Sequence, residues 1–252
     1  MQTLPTIMTP IMPEAVNNGV RVQTLNGFGW MVTQVETYEP TGKFIDAAVA
    51  SNEWSLDIGC AYGVQTEAAL EAGARVMAND LDKGHLQILW NKTPAELRAN
   101  LKVAWGPFPD VELPIEQFGA ILAQRVLHFL DGSTLERAAR RIAQLLVPGG
   151  QVFARVISPY NKIYQSFIPE YERRKQAGER WPGFVPDHSK YTTVKEELEA
   201  MGHTQIHLLE PEIFARAFTE AGLIIETCQW CPIPVEWVHL DGRESVVLIA
   251  RK

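Results

Sequence analysis

The residues with the clearest chemical potential lie in one octapeptide, Leu56-Asp57-Ile58-Gly59-Cys60-Ala61-Tyr62-Gly63. Small residues at 59, 61 and 63 let a backbone turn pass close to a ligand where a strand gives way to a helix. Asp57 stands just before that turn, and a second acid, Asp80, ends the next apolar run. A carboxylate in the second place can accept both hydroxyls of an adenosine ribose. Glycine-rich turns also occur in α/β proteins that bind nothing there. The functional reading therefore rests on the conjunction with Asp57, Asp80 and a later Pro148-Gly149-Gly150. A nicotinamide dinucleotide is the natural competitor, and spacing opposes it. Counted from Gly59, the second and third glycine places of G-x-G-x-x-G hold Ala61 and Val64. A pyrophosphate would also face Asp57, whereas that acid suits a ligand carrying a cationic amine and a sulfonium.

Such a turn needs a strand before it and a helix after it, and the surrounding pattern supplies both. Residues 54–58 are mostly apolar around Asp57, and 64–72 read as a helix closed by Gly73. Further strands are expected at 75–78, 101–105, 120–123 and 152–157. Before the last of these, Ser133 and Glu136 form a capping box for a helix with Leu135, Ala139, Ile142 and Leu146 on one face. Pro148-Gly149-Gly150 stops that helix. Residues 159–210 break the alternation with aromatic residues and prolines. It resumes as a helix over 211–221, ended by Gly222, and strands at 223–230 and 245–250. Asp241-Gly242 offers a turn that lets the final two strands pair antiparallel. The expected fold is α/β: a seven-stranded, mostly parallel sheet with an antiparallel last strand and helices on both faces. Upstream, an irregular Pro- and Met-rich start precedes segments 20–25 and 28–33, which flank Asn26-Gly27 as a hairpin with a type I′ turn. A short helix follows at 41–49. The chain thus divides into an N-terminal extension with the hairpin (1–40), a core (41–158 and 211–252) and an insertion (159–210).

The stretch 54–157 resembles the class I S-adenosylmethionine-dependent methyltransferases, whose motif is an acid, one residue, then G-x-G-x-G; here Ala61 replaces the middle glycine. The resemblance implies that Asp57 and the backbone of Gly59, Ala61 and Gly63 hold the methionine end of S-adenosylmethionine. Asp80 would take the ribose hydroxyls, and Leu81 would pack on the adenine. Where family members carry Gly-Asp after the third strand, this chain has Gly106-Pro107-Phe108-Pro109-Asp110. Adenine recognition then falls to backbone groups there, to Phe108 or to a displaced Asp110. Gln124-Arg125-Val126-Leu127-His128-Phe129 looks like the segment after the fourth strand, which adds Gln124 to the cofactor set. Leu146-Val147-Pro148-Gly149-Gly150 looks like the L-x-P-G-G before the fifth strand.

The activity so implied is methyl transfer to an O, N or C atom. An insertion such as 159–210 resembles the lids that lie over small-molecule acceptors in this family. A protein or RNA methyltransferase, or a non-catalytic scaffold that keeps the fold, are the alternatives. His128 is the first candidate for a general base; its other reading is a histidine packed under the next helix. Tyr160, Tyr164, Glu170, Tyr171 and His188 in the insertion can shape or deprotonate a substrate, or simply form the insertion's own core. Tyr38 and the hairpin are expected to close another side.

Composition narrows the partners. The 252 residues are 46% hydrophobic with a net charge of -7, which opposes general electrostatic binding of nucleic acid. No run has the roughly 18 apolar residues of a membrane span. The N-terminus lacks a basic segment and is broken by Pro5, Pro10 and Pro13, so it is a poor signal peptide. The cysteines, Cys60, Cys228 and Cys231, make no disulfide framework, and a cytoplasmic location is expected. No metal is expected: Cys228 and Cys231 have no second pair, and no glutamate follows His203 before His207. The basic run Arg173-Arg174-Lys175 reads as a solvated helix face, and an N-P-P-Y-type motif is absent. Neither the acceptor atom nor the oligomeric state is written in any motif.

Overall fold

The computed structural model describes residues 10–16, 19–34, 40–192 and 194–252. In chain order, β1 (Arg21–Gln23) and β2 (Trp30–Val32) form a hairpin, and α1 (Thr41–Ala50) leads into the core. There follow β3 (Trp54–Ile58), α2 (Val64–Glu71), β4 (Val76–Asp80), α3 (Lys83–Lys92) and β5 (Leu101–Trp105). Next come β6 (Phe118–Gln124), α4 (Gly132–Leu145) and β7 (Leu146–Ile157). The insertion holds α5 (Ile168–Gln176), β8 (Phe184–Val185), α6 (Lys195–Met201) and β9 (Ile206–His207). Then α7 (Pro211–Glu220), β10 (Ile224–Cys231) and β11 (Ser245–Arg251) complete the described chain.

The main sheet has seven strands in the order β10-β11-β7-β6-β3-β4-β5. Strands β7, β6, β3, β4 and β5 are mutually parallel, and β11 runs antiparallel to both β7 and β10. Period-two alternation divides the core. Along β6, Ile121 and Ala123 join Leu56, Leu135, Ile142 and Leu248 on the face covered by α4 and α7. Ala120 and Leu122 join Phe44, Leu70, Leu89 and Phe153 on the face covered by α1, α2 and α3. Fully burying a side chain such as Leu135 stabilises the fold by about 1.5–3 kcal/mol. The chain order reverses between β3 and β6, and ligands of open α/β sheets bind outside the strand ends at such a point.

Three local expectations change, and one helix was not expected. The β1–β2 register, Gln23 opposite Trp30, leaves residues 24–29 as a longer loop instead of a two-residue type I′ turn. Gly27 has a positive φ but Asn26 does not; the Asn26 side chain accepts from the Phe28 N–H at 3.1 Å. Helix α4 is capped by Asp131, which accepts from the Thr134 N–H at 2.9 Å, and not by Ser133. An aspartate with the right reach caps as well as serine, and Glu136 instead pairs with Arg180 at 2.9 Å. Strand β7 begins at Leu146, so Pro148-Gly149-Gly150 lies inside it. Helix α3 had no expectation; Asp82 caps it by accepting from the Gly84 N–H at 2.7 Å.

The insertion builds its own small core from Tyr164, Phe167, Tyr171, Ile206 and Leu208, against which Trp30 and Phe129 pack. It therefore meets the hairpin and the end of β6, where the strand order reverses.

Candidate active site

The turn after β3 takes the shape its small residues permit. Gly59 and Gly63 adopt φ of 67° and 76°. A β-carbon at Gly59 would lie 2.5 Å from Val126 Cγ2, and one at Gly63 would lie 2.4 Å from Leu89 Cδ1. Between them Ala61 holds φ 46°, a left-handed conformation that costs an L-residue roughly 1–2 kcal/mol. Its N–H donates to Asp80 Oδ2 at 2.8 Å. Asp80 Oδ1 accepts from the Asp82 N–H at 2.8 Å and meets His85 Nδ1 at 3.1 Å. Because the Leu25 N–H donates to His85 Nε2 at 3.0 Å, the proton of that ring belongs on Nδ1, facing Asp80. The carboxylate thus fixes both the turn and, through His85, the hairpin. Tyr62 adds a second tie, donating its hydroxyl to Gln23 O at 2.8 Å.

Asp57 is buried at the end of β3 and accepts from Thr66 Oγ1 at 2.7 Å. Burial pushes its carboxyl up to about 6; the Thr66 hydroxyl opposes this and the charge of Asp80 adds to it. A buried acid of this kind is ready to meet a cation.

Beside the turn lies a cavity of about 250 Å³. Of the residues expected there, Asp57, Gly59, Ala61, Asp80, Leu81, Phe108 and Gln124 line it. Gly63 and Gly106 do not. Gly63 is the N-cap of α2, and the Gly106 carbonyl accepts from Asn79 Nδ2 at 3.0 Å. Asp110 pairs with Arg137 on the surface, away from the cavity, so Pro107 and Phe108 stand where the displaced acid was considered.

A second, larger cavity of about 760 Å³ adjoins the first. The two share Phe28, Trp30, Val32, Arg125 and Phe129. Among the candidate catalytic residues, His128 and Tyr164 line it, whereas Tyr160 and His188 line neither cavity. The Tyr160 hydroxyl donates to Glu172 and its ring lies 3.7 Å from the Arg243 guanidinium carbon. His188 is buried in the insertion with its ring 6.4 Å from that of Tyr164. Tyr171 belongs to the insertion's core, and Glu170 pairs with Arg173 and Arg174 at 2.8 Å. Tyr38 lies outside the described residues. Burial, with Arg125 and His207 nearby, holds the His128 imidazole down to about 3, so the ring is neutral at physiological pH. Burial and Glu197 push the Tyr164 phenol well above its ordinary range.

Sequence reasoning missed much of this second cavity. Arg21 pairs with Glu197 at 3.2 Å and lies 4.8 Å and 4.3 Å from the ring centres of Trp30 and Trp237. Arg155, on β7, is buried and donates from Nε to Ser245 Oγ at 3.1 Å. Arg125 holds φ 56° and donates its N–H to Arg155 O at 2.9 Å. Another wall, with Ile233, Val235 and Trp237, is shaped by Glu244. That carboxylate accepts the N–H groups of Ile233 (2.9 Å), Leu240 (2.8 Å), Asp241 (2.9 Å) and Gly242 (2.7 Å). Although burial pushes it upward, these four donors hold it down to about 2. Among the described residues no three His, Cys, Asp or Glu side chains stand together as a metal site, and Cys228 donates to Pro211 O at 3.2 Å.

The chain is similar to several known proteins. Residues 56–154 match the model of the methyltransferase domain family. Over 106 residues the chain is 35% identical to the cypemycin N-terminal methyltransferase of a Streptomyces species, covering 41% of this chain and 42% of that protein. Over 172 residues it is 29% identical to the ubiquinone biosynthesis O-methyltransferase of Bordetella avium, covering 67% of this chain and 61% of that one. The chain spans about half the length of the curated relatives it matches. In fold it is similar to an S-adenosylmethionine-dependent methyltransferase from Mesorhizobium loti, with a TM-score of 0.62 at 20% identity over 86% of this chain and 97% of that one.

Proposed function

We propose that this chain, which matches the methyltransferase domain family over residues 56–154, is a class I S-adenosylmethionine-dependent methyltransferase that methylates an O, N or C atom of a small molecule held in its larger cavity. One observation carries the reading: two cavities meet at the strand-order reversal, and only the smaller is lined by the acid-flanked turn. The donor set of that smaller cavity fits S-adenosylmethionine. Asp57 would bind the cationic amine, Asp80 would accept the ribose hydroxyls, and Leu81 and Phe108 offer apolar faces to the adenine. When bound, the sulfonium supplies an activated methyl group, so the protein's task is chiefly alignment and exclusion of water.

The shared wall performs that alignment. Phe28, Trp30, Val32 and Phe129 bound the passage between the cavities, and the insertion and the 233–238 segment cover the acceptor side. His128 contributes a neutral ring. As so weak a base it orients an acceptor by hydrogen bonding and does not store its proton. Lining by both the hairpin and the insertion supports a small acceptor over protein or RNA, as does the net charge of -7. The relatives named for O- and N-terminal methylation support methyl transfer without choosing the atom. The cysteines Cys60, Cys228 and Cys231 are all free, which supports a cytoplasmic site of action.

The test has two stages. Calorimetric titration with S-adenosylhomocysteine should show one site; no binding would leave only a scaffold. A metabolite extract, an RNA fraction and a protein fraction are then each incubated with isotopically labelled methyl donor. Label is expected in the low-mass fraction, and transfer confined to RNA or protein would reject the small-molecule reading.

A further inference from the structure

Apolar and aromatic side chains such as Phe28, Trp30, Phe129 and Ile157 form much of the wall of the larger cavity. Three uncharged polar residues interrupt them: His128, Asn161 and Tyr164. These are 2%, 1% and 2% exposed, so protein covers almost all of each side chain. A polar group taken out of water needs a hydrogen-bonding partner, and each of the three keeps one that the fold does not use.

Asn161 caps the helical turn Lys162–Phe167. Its Oδ1 accepts from the Ile163 N–H at 3.0 Å, which fixes the amide and leaves Nδ2 as a donor. The Tyr164 N–H donates to Asn161 O at 2.9 Å, so a single turn carries both side chains to the cavity. Among the described residues, neither Asn161 Nδ2 nor the Tyr164 hydroxyl meets a hydrogen-bonding partner. Burial and the charge of Glu197 keep the Tyr164 phenol protonated. On the opposite strand end, His128 Nδ1 is buried without a partner. A neutral imidazole has one proton, and an N–H sealed from water with no acceptor forfeits its hydrogen bond. The proton therefore belongs on Nε2, and the ring offers the cavity a donor.

Resting on the reading of this cavity as the acceptor site, we propose that the acceptor carries an uncharged carbonyl oxygen, of a ketone, aldehyde or amide, held by donors from His128, Asn161 and Tyr164. A carbonyl accepts and brings no proton of its own that would need a further partner. A hydroxyl brings one, and of the three side chains only the Tyr164 oxygen could receive it. The Glu197 carboxylate, close enough to act on Tyr164, disfavours an anion at that place. The body attached to the carbonyl is aromatic or apolar, matching the rest of the wall.

The experiment uses the full chain saturated with S-adenosylhomocysteine. Calorimetry measures binding of three carbonyl compounds, each against the analogue with the carbonyl reduced to a methylene or methyl: 4-hydroxyacetophenone against 4-ethylphenol, indole-3-carboxaldehyde against 3-methylindole, and indanone against indane. 4-Hydroxybenzoate serves as the anionic probe. At least one carbonyl compound should bind roughly tenfold or more tightly than its partner. Tyr164→Phe removes only a hydroxyl, and Asn161→Asp keeps the oxygen that caps the turn while removing the donor. Each should cut the preference at least about threefold, and the double variant should erase it. Neither residue lines the smaller cavity, so affinity for S-adenosylhomocysteine should stay within about twofold. If Asn161→Asp does not fold, Tyr164→Phe and His128→Phe carry the test. Failure to bind S-adenosylhomocysteine would sink the methyltransferase reading itself. Normal cofactor binding would overturn the carbonyl assignment alone if no carbonyl compound outbinds its partner, or if 4-hydroxybenzoate outbinds all three. Survival of the full preference in the variants would also overturn it.

Discussion

Replacing Asp57 by asparagine should make the ligand-free protein more stable while weakening its hold on the cofactor. Burial raises this carboxyl from 3.8 to about 6. A raised acid binds its proton more tightly in the folded state, so the folded protein is penalised as pH climbs from 3.8 to about 6. Above that range the penalty is fully present, at about 3 kcal/mol if each pK unit is worth 1.36 kcal/mol. Asparagine carries no charge to desolvate, and its amide oxygen can still accept from Thr66. Its amide N–H groups gain no assured partner, which returns about 1–3 kcal/mol. The expected net gain at pH 8 is therefore up to about 2 kcal/mol, or up to roughly 8 °C in melting temperature for a chain of this size. The gain should shrink toward pH 4, where the parent carboxyl is protonated as well. The same substitution removes a charge-assisted hydrogen bond to the ligand amine, worth about 1.5–3 kcal/mol or roughly ten- to hundredfold in affinity. Thermal melts at pH 8 and pH 5, paired with titration of S-adenosylhomocysteine, read both effects. In the parent, affinity should fall by up to tenfold for each pH unit below about 6; in the variant it should be flat. A variant that melts lower at pH 8 and binds as tightly as the parent would refute the assignment of Asp57.

Three further outcomes follow from the same geometry. Gly59→Ala would place a β-carbon 2.5 Å from Val126 Cγ2 at a φ of 67°, so a loss of about 1–3 kcal/mol on denaturation and at least tenfold weaker S-adenosylhomocysteine binding are expected. Asp110→Ala touches only the surface pair with Arg137; cofactor affinity should stay within about twofold by calorimetry, and a larger loss would return the displaced acid to the adenine site. Glu244→Gln tests the wall of the larger cavity. The carboxylate is lowered from 4.5 to about 2, so its stabilisation, about 3 kcal/mol, is present above pH 4.5 and lost as pH falls through about 2. The glutamine variant should lose about that much at pH 7 and raise the KM for acceptor. Its affinity for S-adenosylhomocysteine should be unaffected, and unchanged melting would discount the four-donor account.

What the sequence discloses divides along the line between the two cavities. The turn at 57–63 and Asp80 are legible because each works through local backbone chemistry: small residues at a strand-to-helix turn and an acid ending the next strand. Strands β3 to β7 are legible for a similar reason, since buried parallel strands are short apolar runs. The larger cavity has no such signature. Arg21 on the hairpin, Arg155 on β7, Glu197 on α6 and Trp237 after β10 meet only through tertiary packing, and each is unremarkable among its chain neighbours. The helix cap at Asp131 and the longer hairpin loop were misread for a related reason. Ser133 and Asn26-Gly27 carry the right propensities, but cap reach and strand register are decided by contacts that propensity does not contain.

The two buried acids also explain why the hairpin belongs to the site. Asp57 and Asp80 are 2% and 4% exposed, and the charge of Asp80 helps to raise Asp57. Two such carboxylates oppose folding unless each is given partners. Asp80 is given the N–H groups of Ala61 and Asp82 and the His85 ring, and that ring in turn accepts from Leu25 in the hairpin loop. Asp57 has Thr66 and little else among its named partners, so it keeps the larger share of unrelieved penalty. A cationic ligand group beside Asp57 would remove that penalty at the moment of binding. Through the Asp80–Ala61 bond, the turn and His85, the cofactor cavity connects to the strands that carry Arg21 and Trp30. Ordering of the hairpin is then coupled to the state of the cofactor cavity. Binding of the methyl donor should therefore precede and strengthen binding in the larger cavity.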